Sequence, residues 1–523
     1  MFVMNTLDDK TLLTAGAIGL GIAASFVFSL YNNTFQKQKK DSLLRGGLRE
    51  VPVPSEGYPY IGHAASLGSL PAITIKNWHE KLGPLICLHM GIQRWVFISD
   101  PNIAHQIFVR NGIKTSERQK HRFAQDIYGK GGRGIVFNQT SKKWKTTRSM
   151  ALTILSPKYT EQFEGSIENV AKKTLRALIE ITNTEGSVAP KEHIRRATYG
   201  TMFKAIFGES IDPFKNNIIT QTLEMTDKGV TYIRPEADIG SFFPIFAWIS
   251  TFMHPMKVVE EVTLWRDTYY KNLIDEAIAA DCNSLVKHAY SLKEESGLDD
   301  TDILVMISDL MSAGGDTTSV SLHWLLAILS RYPDVQKKMG EEIDTFISKN
   351  NRTPLYSDRD ELPYTVATLR ENLRFRSPTT FGIPHYTSTD VEACGYFIPA
   401  DTVLISSMHA MHMNPDVYDE PEKFKPERFL GDSRTWSASN NGSIEERDNY
   451  SFGWGRRVCP GIHFAEVEIF DTAVNILAAC TIEPAIDSKG QPEYVNLDSG
   501  LEKGVVFAPE DYKVRFIQKT KNS

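Results

Sequence analysis

The residues best suited to chemistry lie in one short stretch, Phe452-Gly453-Trp454-Gly455-Arg456-Arg457-Val458-Cys459-Pro460-Gly461. A single cysteine stands in a glycine-rich loop, with an arginine two positions before it. A thiolate is a strong ligand for iron, and it needs protection and charge compensation. Gly455 and Gly461 carry no Cβ, so the backbone there can come close to a flat cofactor. The mostly apolar segment Ile462 to Cys480 follows at once and predicts a helix. N–H groups at its start would face Cys459 and favour a charged sulfur. Arg457 would then reach a negative group on the cofactor edge, and Phe452 would pack against the cofactor face.

A second chemical stretch is Ala313-Gly314-Gly315-Asp316-Thr317-Thr318, in the middle of the longest helix candidate, Thr301 to Arg331. Each glycine costs about 1 kcal/mol against alanine in a helix interior. Two together with an acid in an apolar helix need a reason. The plainer one is a close helix crossing, with Asp316 satisfied by a core partner. The functional one is a helix that passes tight over a flat cofactor and opens locally. Thr317 would then hydrogen-bond bound dioxygen and Asp316 would relay protons, since cleaving oxygen at iron takes two of them.

A lone cysteine is usually a small buried core residue, and Cys87, Cys282, Cys394 and Cys480 fit that description. For Cys459, a zinc pair with His463 lacks two further ligands at usable spacing. The pattern Phe-x-x-Gly-x-Arg-x-Cys-x-Gly resembles the haem-binding loop of the cytochrome P450 family, the haem-thiolate monooxygenases. That resemblance implies that Cys459 is the axial ligand to the iron of haem b and pushes electron density toward bound oxygen. The segment from Ala313 to Thr318 is similar to the family's oxygen-activation segment and matches it throughout. Members that rearrange peroxides often lack the acid–alcohol pair.

The resemblance also implies roles for weaker signals. Trp144 and Arg148 are four apart on one helix face; the family uses Trp-x-x-x-Arg here to hold a haem propionate. Glu371 and Arg374, three apart, would by themselves be a surface ion pair of little worth. With Arg428, in Phe424-Lys425-Pro426-Glu427-Arg428-Phe429, they resemble the buried triad that braces the thiolate side. His385 carries over as a propionate contact, where many relatives have arginine. His409 and His412 fall in a strand-to-loop stretch and read as structural.

These residues must be positioned by a chain of 523 residues with net charge −6, which gives no hint of nucleic-acid binding. Five scattered cysteines do not make a disulfide framework, so the functional part faces a reducing compartment. Leu12 to Leu30 is long enough to cross a bilayer and free of charge, with its positive flank on the C-terminal side. Residues 1–45 are therefore expected to be a membrane anchor with its basic flank. The anchor is single, in the endoplasmic reticulum, with the rest of the chain on the cytoplasmic face. Residues 46–62, rich in proline and glycine, read as a rigid hinge, and 63–523 as the haem-thiolate catalytic domain. Leu85–Leu88 and Trp95–Ile98 look like strands of a small sheet; most of the remainder has a helical pattern. The fold class is mainly α with a minor β region. The resemblance implies the cytochrome P450 fold, a helix-rich triangular prism with small sheets. Ser433 to Asn449 reads as an exposed polar insertion, and Val495 to Phe516 as a hairpin. Ile239 to Met253 is aromatic-rich, either core or a lid over a substrate channel. Lys142, Lys143 and Lys145 form a basic patch, either a docking site for an acidic electron donor or a solvated face.

The expected function is hydroxylation of a lipophilic substrate with one atom of O2. No glycine-rich nicotinamide or flavin fingerprint occurs, so electrons would come from an NADPH–cytochrome P450 reductase, with cytochrome b5 as a further partner. The sequence resembles membrane-bound fungal members of the family, some of which hydroxylate steroids, and a steroid-like substrate is slightly favoured. The alternatives are a haem protein that carries electrons or binds ligands without oxygenation, and a peroxide-rearranging isomerase on the same fold.

Overall fold

The computed structural model describes residues 47–233, 235–244, 256–503 and 505–519. Leu12 to Leu30, and residues 245–255 of the aromatic segment, lie outside the described residues. Among the described residues no helix is long and apolar enough to cross a membrane. The expected localisation, one N-terminal anchor in the endoplasmic reticulum, is corrected accordingly. The longest helix, Asp300–Arg331, carries Asp302, Asp309 and Asp316 along its length and is buried in protein.

A four-stranded sheet forms one side of the molecule. Helix α1 (Pro71–Leu82) packs beside it, burying Ile75 and Trp78. β1 (Leu85–Met90) and β2 (Gln93–Ile98) form an antiparallel hairpin. β3 (His385–Tyr386) pairs antiparallel with β4 (Thr402–Ser406), and β4 runs parallel to β2. The proline-rich hinge is stitched to this sheet: the Cys87 amide donates to the Pro52 carbonyl at 2.7 Å, and Gly62 bridges Met90. Upstream of it, Arg49–Glu50 pairs in parallel with Tyr396–Phe397.

The rest is mainly helical, as expected. α2 (Lys142–Ile154), α3 (Glu164–Glu185), α4 (Lys191–Phe207), α5 (Ile218–Ile233) and α6 (Met256–Ala279) surround α7 (Asp300–Arg331). α8 (Pro363–Phe375) and α9 (Ile462–Ala479) pack on its far half. α7 opens with a capping box: Asp299 accepts from the Asp302 amide at 2.9 Å and Asp302 accepts from the Asp299 amide at 3.0 Å, which satisfies donors that a helix start otherwise strands. Asp302–Met311 and Thr318–Ser330 are buried. Between them, Ser312 to Thr317 keep accessible surface at every residue except Gly315. α9 is apolar on most sides, the mark of a fully buried helix.

The two glycines of α7 serve the crossing with α4. A Cβ on Gly315 would lie 2.5 Å from the Tyr199 ring, and one on Gly314 would lie 2.8 Å from Met202. Thr198 Oγ1 donates to the Gly315 carbonyl at 3.0 Å across the same contact. Gly315→Ala is expected to lower stability by about 1–3 kcal/mol through overpacking, against the gain of about 1 kcal/mol in helix propensity. Denaturant unfolding measures it; a variant as stable as wild type would mean that the Tyr199 ring gives way.

Three local expectations are corrected. Ser433 to Asn449 is not an exposed insertion: it holds a helix, Trp436–Asn441, with Trp436, Ser439 and Asn440 buried. Its polar residues find partners, Arg370 with Asp448 and Ser439 with Asp448, which is why polar composition misleads there. His409 and His412 lie in a short helix, Met408–His412, rather than a strand end. The C-terminal hairpin is shorter than expected. β5 (Cys480–Ile486) follows α9, then β6 (Leu501–Lys503) pairs with β7 (Val506–Ala508), and β8 (Val514–Gln518) leaves the hairpin to pair with β5.

Candidate active site

Backbone bonds hold the cysteine loop. The Cys459 amide donates to the Phe452 carbonyl at 2.8 Å, the Arg457 amide to Trp454 at 3.1 Å and the Val458 amide to Gly455 at 3.1 Å. Burial raises the Cys459 thiol pKa, while a backbone hydrogen bond at Gly461 and the Arg148 charge oppose the rise. The two glycines have different surroundings. Gly455 has φ +52°, and a Cβ there would lie 2.4 Å from the Phe108 carbonyl oxygen, so it admits the neighbouring turn of backbone. A Cβ on Gly461 would meet only the Cys459 sulfur, at 3.9 Å. The Phe452 ring packs on Trp436, with ring centroids 5.8 Å apart.

Next to the loop lies a cluster of cations, with Arg118 and Arg457 buried and Arg148 half-buried. Arg457 donates to the carbonyls of Ser116 (2.9 Å), Ile135 (3.1 Å) and Asn138 (2.6 Å), and its guanidinium lies 4.1 Å over the Trp144 ring. Trp144 Nε1 also donates to the Ile135 carbonyl, at 3.1 Å. Arg148, 5.8 Å from the same ring, donates to the Val458 carbonyl. Arg118 donates to the carbonyls of Val136 (2.9 Å), Ile383 and Pro384 (both 2.8 Å). The nearby acid Glu117 is engaged by Thr140. Three guanidiniums thus sit together on carbonyl partners instead of a carboxylate. Burial, then mutual repulsion, pushes Arg118 down to about 9; Arg457 falls to about 8 for the same reasons, with Glu117 opposing. A bound anion would offset both the burial and the repulsion. His385 joins the cluster as a neutral ring: its Nδ1 pairs with the Thr115 carbonyl at 2.9 Å, it lies edge-on to Phe108, and burial and Arg118 push its pKa well down.

The exposed middle of α7 faces a cavity of about 460 Å³. Ala313, Asp316 and Thr317 form one wall; Phe381 and the β6–β7 hairpin contribute others. Phe242 lines it as well and packs on Trp95 with ring centroids 5.8 Å apart. Thr317 Oγ1 donates to the Ala313 carbonyl at 2.7 Å, which leaves its lone pairs free to accept. Asp316 Oδ1 accepts from Arg195 Nε at 3.1 Å. Arg195 in turn binds Asp227 through both terminal nitrogens, at 3.1 and 2.6 Å. Burial raises the Asp316 pKa and Arg195 opposes it. Asp227 is 62% exposed, so a polar chain runs from solvent to the cavity wall.

Glu371, Arg374 and Arg428 come together behind the cysteine loop. Glu371 accepts from Arg374 at 2.7 and 2.8 Å, from Arg428 Nε at 3.2 Å and from the Lys425 amide at 2.8 Å. Arg374 also donates to the carbonyls of His412, Pro421 and Lys423. In the basic patch of α2, Lys143 is committed to Asp302 at 2.9 Å.

Among known families, the profile described as Cytochrome P450 matches residues 52–516. The chain belongs to the cytochrome P450 family. Cytochrome P450 monooxygenase 79 of Postia placenta is similar to it, 26% identical over 514 residues with 90% of each chain covered. A cytochrome P450 monooxygenase of Armillaria gallica is 27% identical over 491 residues, with 90% of each covered. Two structures of a zebra fish cytochrome P450, one with abiraterone and one with progesterone, share the fold. Their TM-scores are 0.69 and 0.71 at 24% and 23% identity, over 86% of this chain and 100% and 99% of theirs.

As a P450 monooxygenase, the chain takes a haem with a cysteine thiolate ligand, a redox partner, a lipophilic substrate and dioxygen. The residues present fit that cofactor. One cysteine stands in the loop, carboxylate-free guanidiniums suit the two haem propionates, and an apolar cavity adjoins the helix that carries Thr317. Sequence reasoning missed two residues of this P450 site, Arg118 and Arg195. Neither stands in a spaced motif, and each lies among other charged residues, Glu117 and Lys120 beside Arg118 and Glu192 and Arg196 beside Arg195, so the sequence does not single either out.

Proposed function

We propose that the chain is a haem b monooxygenase in which Cys459 would supply the thiolate ligand and residues 63–523 form the catalytic body. Arg457, Arg148 and Arg118 would hold the haem carboxylates, with Trp144 backing the guanidiniums and neutral His385 at the edge. The observation that carries this reading is the conjunction of a single loop cysteine with three guanidiniums, two buried and one half-buried, that lack a carboxylate partner. When bound, the haem supplies the activation of dioxygen and the insertion of one oxygen atom into a substrate C–H bond. The chain's own part is to orient the substrate, exclude water and deliver protons.

Arg195, held by Asp227, stays charged and orients Asp316 at the cavity wall, where the carboxyl takes up protons and hands them on. Burial raises the Asp316 pKa against the pull of Arg195, the direction that favours a carboxyl that takes up and gives a proton. Thr317 passes it on: to donate into the cavity, its hydroxyl must first release the Ala313 carbonyl. Glu371, Arg374 and Arg428 act structurally. Electrons come from an NADPH–cytochrome P450 reductase, with cytochrome b5 as a second donor. The substrate class is a compact lipophile, with steroids slightly favoured; the cavity volume is in the range of pockets for molecules of that size.

Thr317→Ala tests the mechanism. Product formed per dioxygen consumed is expected to fall by about 10²-fold, while reducing equivalents continue to be used. Unchanged coupling would point to an electron-carrying or ligand-binding haem protein instead. Turnover of hydroperoxides without any reductase would point to an isomerase.

A further inference from the structure

One charged side chain in the cavity wall differs from its neighbours. Arg118 is committed to three carbonyls. Arg266 is committed to Asp267 and the Tyr128 carbonyl. Asp309 takes the amides of Ile135 and Val136, and Asp316 takes Arg195. Glu502 lines the same cavity; its carboxylate takes the backbone at Ala72, in the first turn of α1, and the Thr380 hydroxyl at 3.4 Å. That is long for an O–H···O bond, whose ordinary range ends near about 3.0 Å. A carboxylate offers about four acceptor sites. Its surroundings are apolar: Pro71, Phe381, Val505 and Val506 line the same space. Two donors leave acceptor sites on the carboxylate open, and an open acceptor against such walls costs free energy until a further donor reaches it. Burial accordingly raises the Glu502 pKa, with Thr380 and the backbone at Ala72 opposing.

We propose that Glu502 binds the head group of the substrate, an apolar molecule that carries a hydrogen-bond donor, ammonium or hydroxyl, at one end. The inference rests on reading this cavity as the substrate pocket. Glu502 stands on β6 and Thr317 on α7, two different walls. A head group held at Glu502 turns the apolar body toward Thr317, so oxidation falls on a carbon of the body and not at the head. An acidic head group is excluded by charge, which separates this cavity from one built for fatty acids.

The test is titration calorimetry of the haem-loaded full chain at neutral pH with four probes: decylamine, decanol, methyl decyl ether and decanoate. The amine and the alcohol are expected to bind about tenfold tighter than the ether, the difference one good hydrogen bond makes, with decanoate weakest. In Glu502→Gln the amine should lose about tenfold, since a charge-assisted bond is lost. The alcohol should stay within about threefold, since the amide oxygen still accepts. In Glu502→Leu both should fall to the level of the ether. Equal affinities for amine, alcohol and ether in the wild type, a preference that survives Glu502→Leu, or failure of amine and alcohol to bind would each overturn the proposal. The readout is heat, and the absorption spectrum is recorded alongside. A wild-type protein without a Soret band fails the haem reading; a normal band with the wrong binding order fails the Glu502 assignment alone.

Discussion

Glu371→Gln is expected to destabilise the protein by about 3–5 kcal/mol, the cost of leaving buried charges unpaired. Glu371 and Arg374 have no exposed side-chain surface, and Arg428 has 12%. The carboxylate receives four donors from Arg374, Arg428 and the Lys425 amide. Glutamine removes the charge and turns an NH2 toward one of those donors, while two guanidiniums remain. The damage spreads along a defined route. Arg374 also fixes the carbonyls of His412, Pro421 and Lys423, and His412 Nε2 accepts from the Tyr450 amide at 2.9 Å, at the start of the cysteine loop. Haem retention should therefore fall together with the unfolding midpoint. Denaturant titration and the haem-to-protein ratio check both. A loss under about 1 kcal/mol with full haem content would mean that the carbonyl bonds alone hold the two arginines.

Cys459→Ala is expected to abolish oxygenation while leaving the fold in place. The loop is shaped by backbone hydrogen bonds and by the close approach at Gly455, neither of which needs the sulfur. Without cofactor the variant should unfold within about 1 kcal/mol of the wild type, as a small substitution that opens little space does. Its carbon monoxide adduct should lack the spectrum of a thiolate-ligated haem. Activity retained in this variant would remove Cys459 from the ligand position.

Much of this was legible in the sequence, for physical reasons. The α7 pattern of apolar residues broken by two glycines, an acid and a hydroxyl predicts Thr301 to Arg331, and the helix spans Asp300–Arg331. The β1–β2 hairpin is announced by two β-branched and aromatic runs. Phe242, from the aromatic-rich segment, and Asp316 and Thr317, from the α7 motif, reach the cavity. Less legible were residues whose meaning depends on distant partners. Arg118 acquires its place only from Val136, Ile383 and Pro384, and Arg195 only from Asp227 and Asp316. Gly455 looks like a cofactor-approach glycine but answers to the Phe108 carbonyl. In Ser433 to Asn449, one buried tryptophan and internally paired polar groups outweigh a composition that signals solvent.

The carbonyl bonds of Arg457 also set an order of assembly. They join it to residues 341, 322 and 319 positions earlier, and Arg148 reaches Val458 across 310. Contacts of such span wait on loop closure, and during synthesis they wait on the ribosome, because the N-terminal part emerges and compacts first. Arg118, Trp144 and Arg148 are made early and stay an incomplete set until the last part of the chain is translated. The same late segment delivers Arg457 and Cys459 two residues apart. On the proposed reading, cofactor capture is deferred to the finished polypeptide, and a chain cut short before Arg457 would lack both the last guanidinium and the thiolate with which to hold haem.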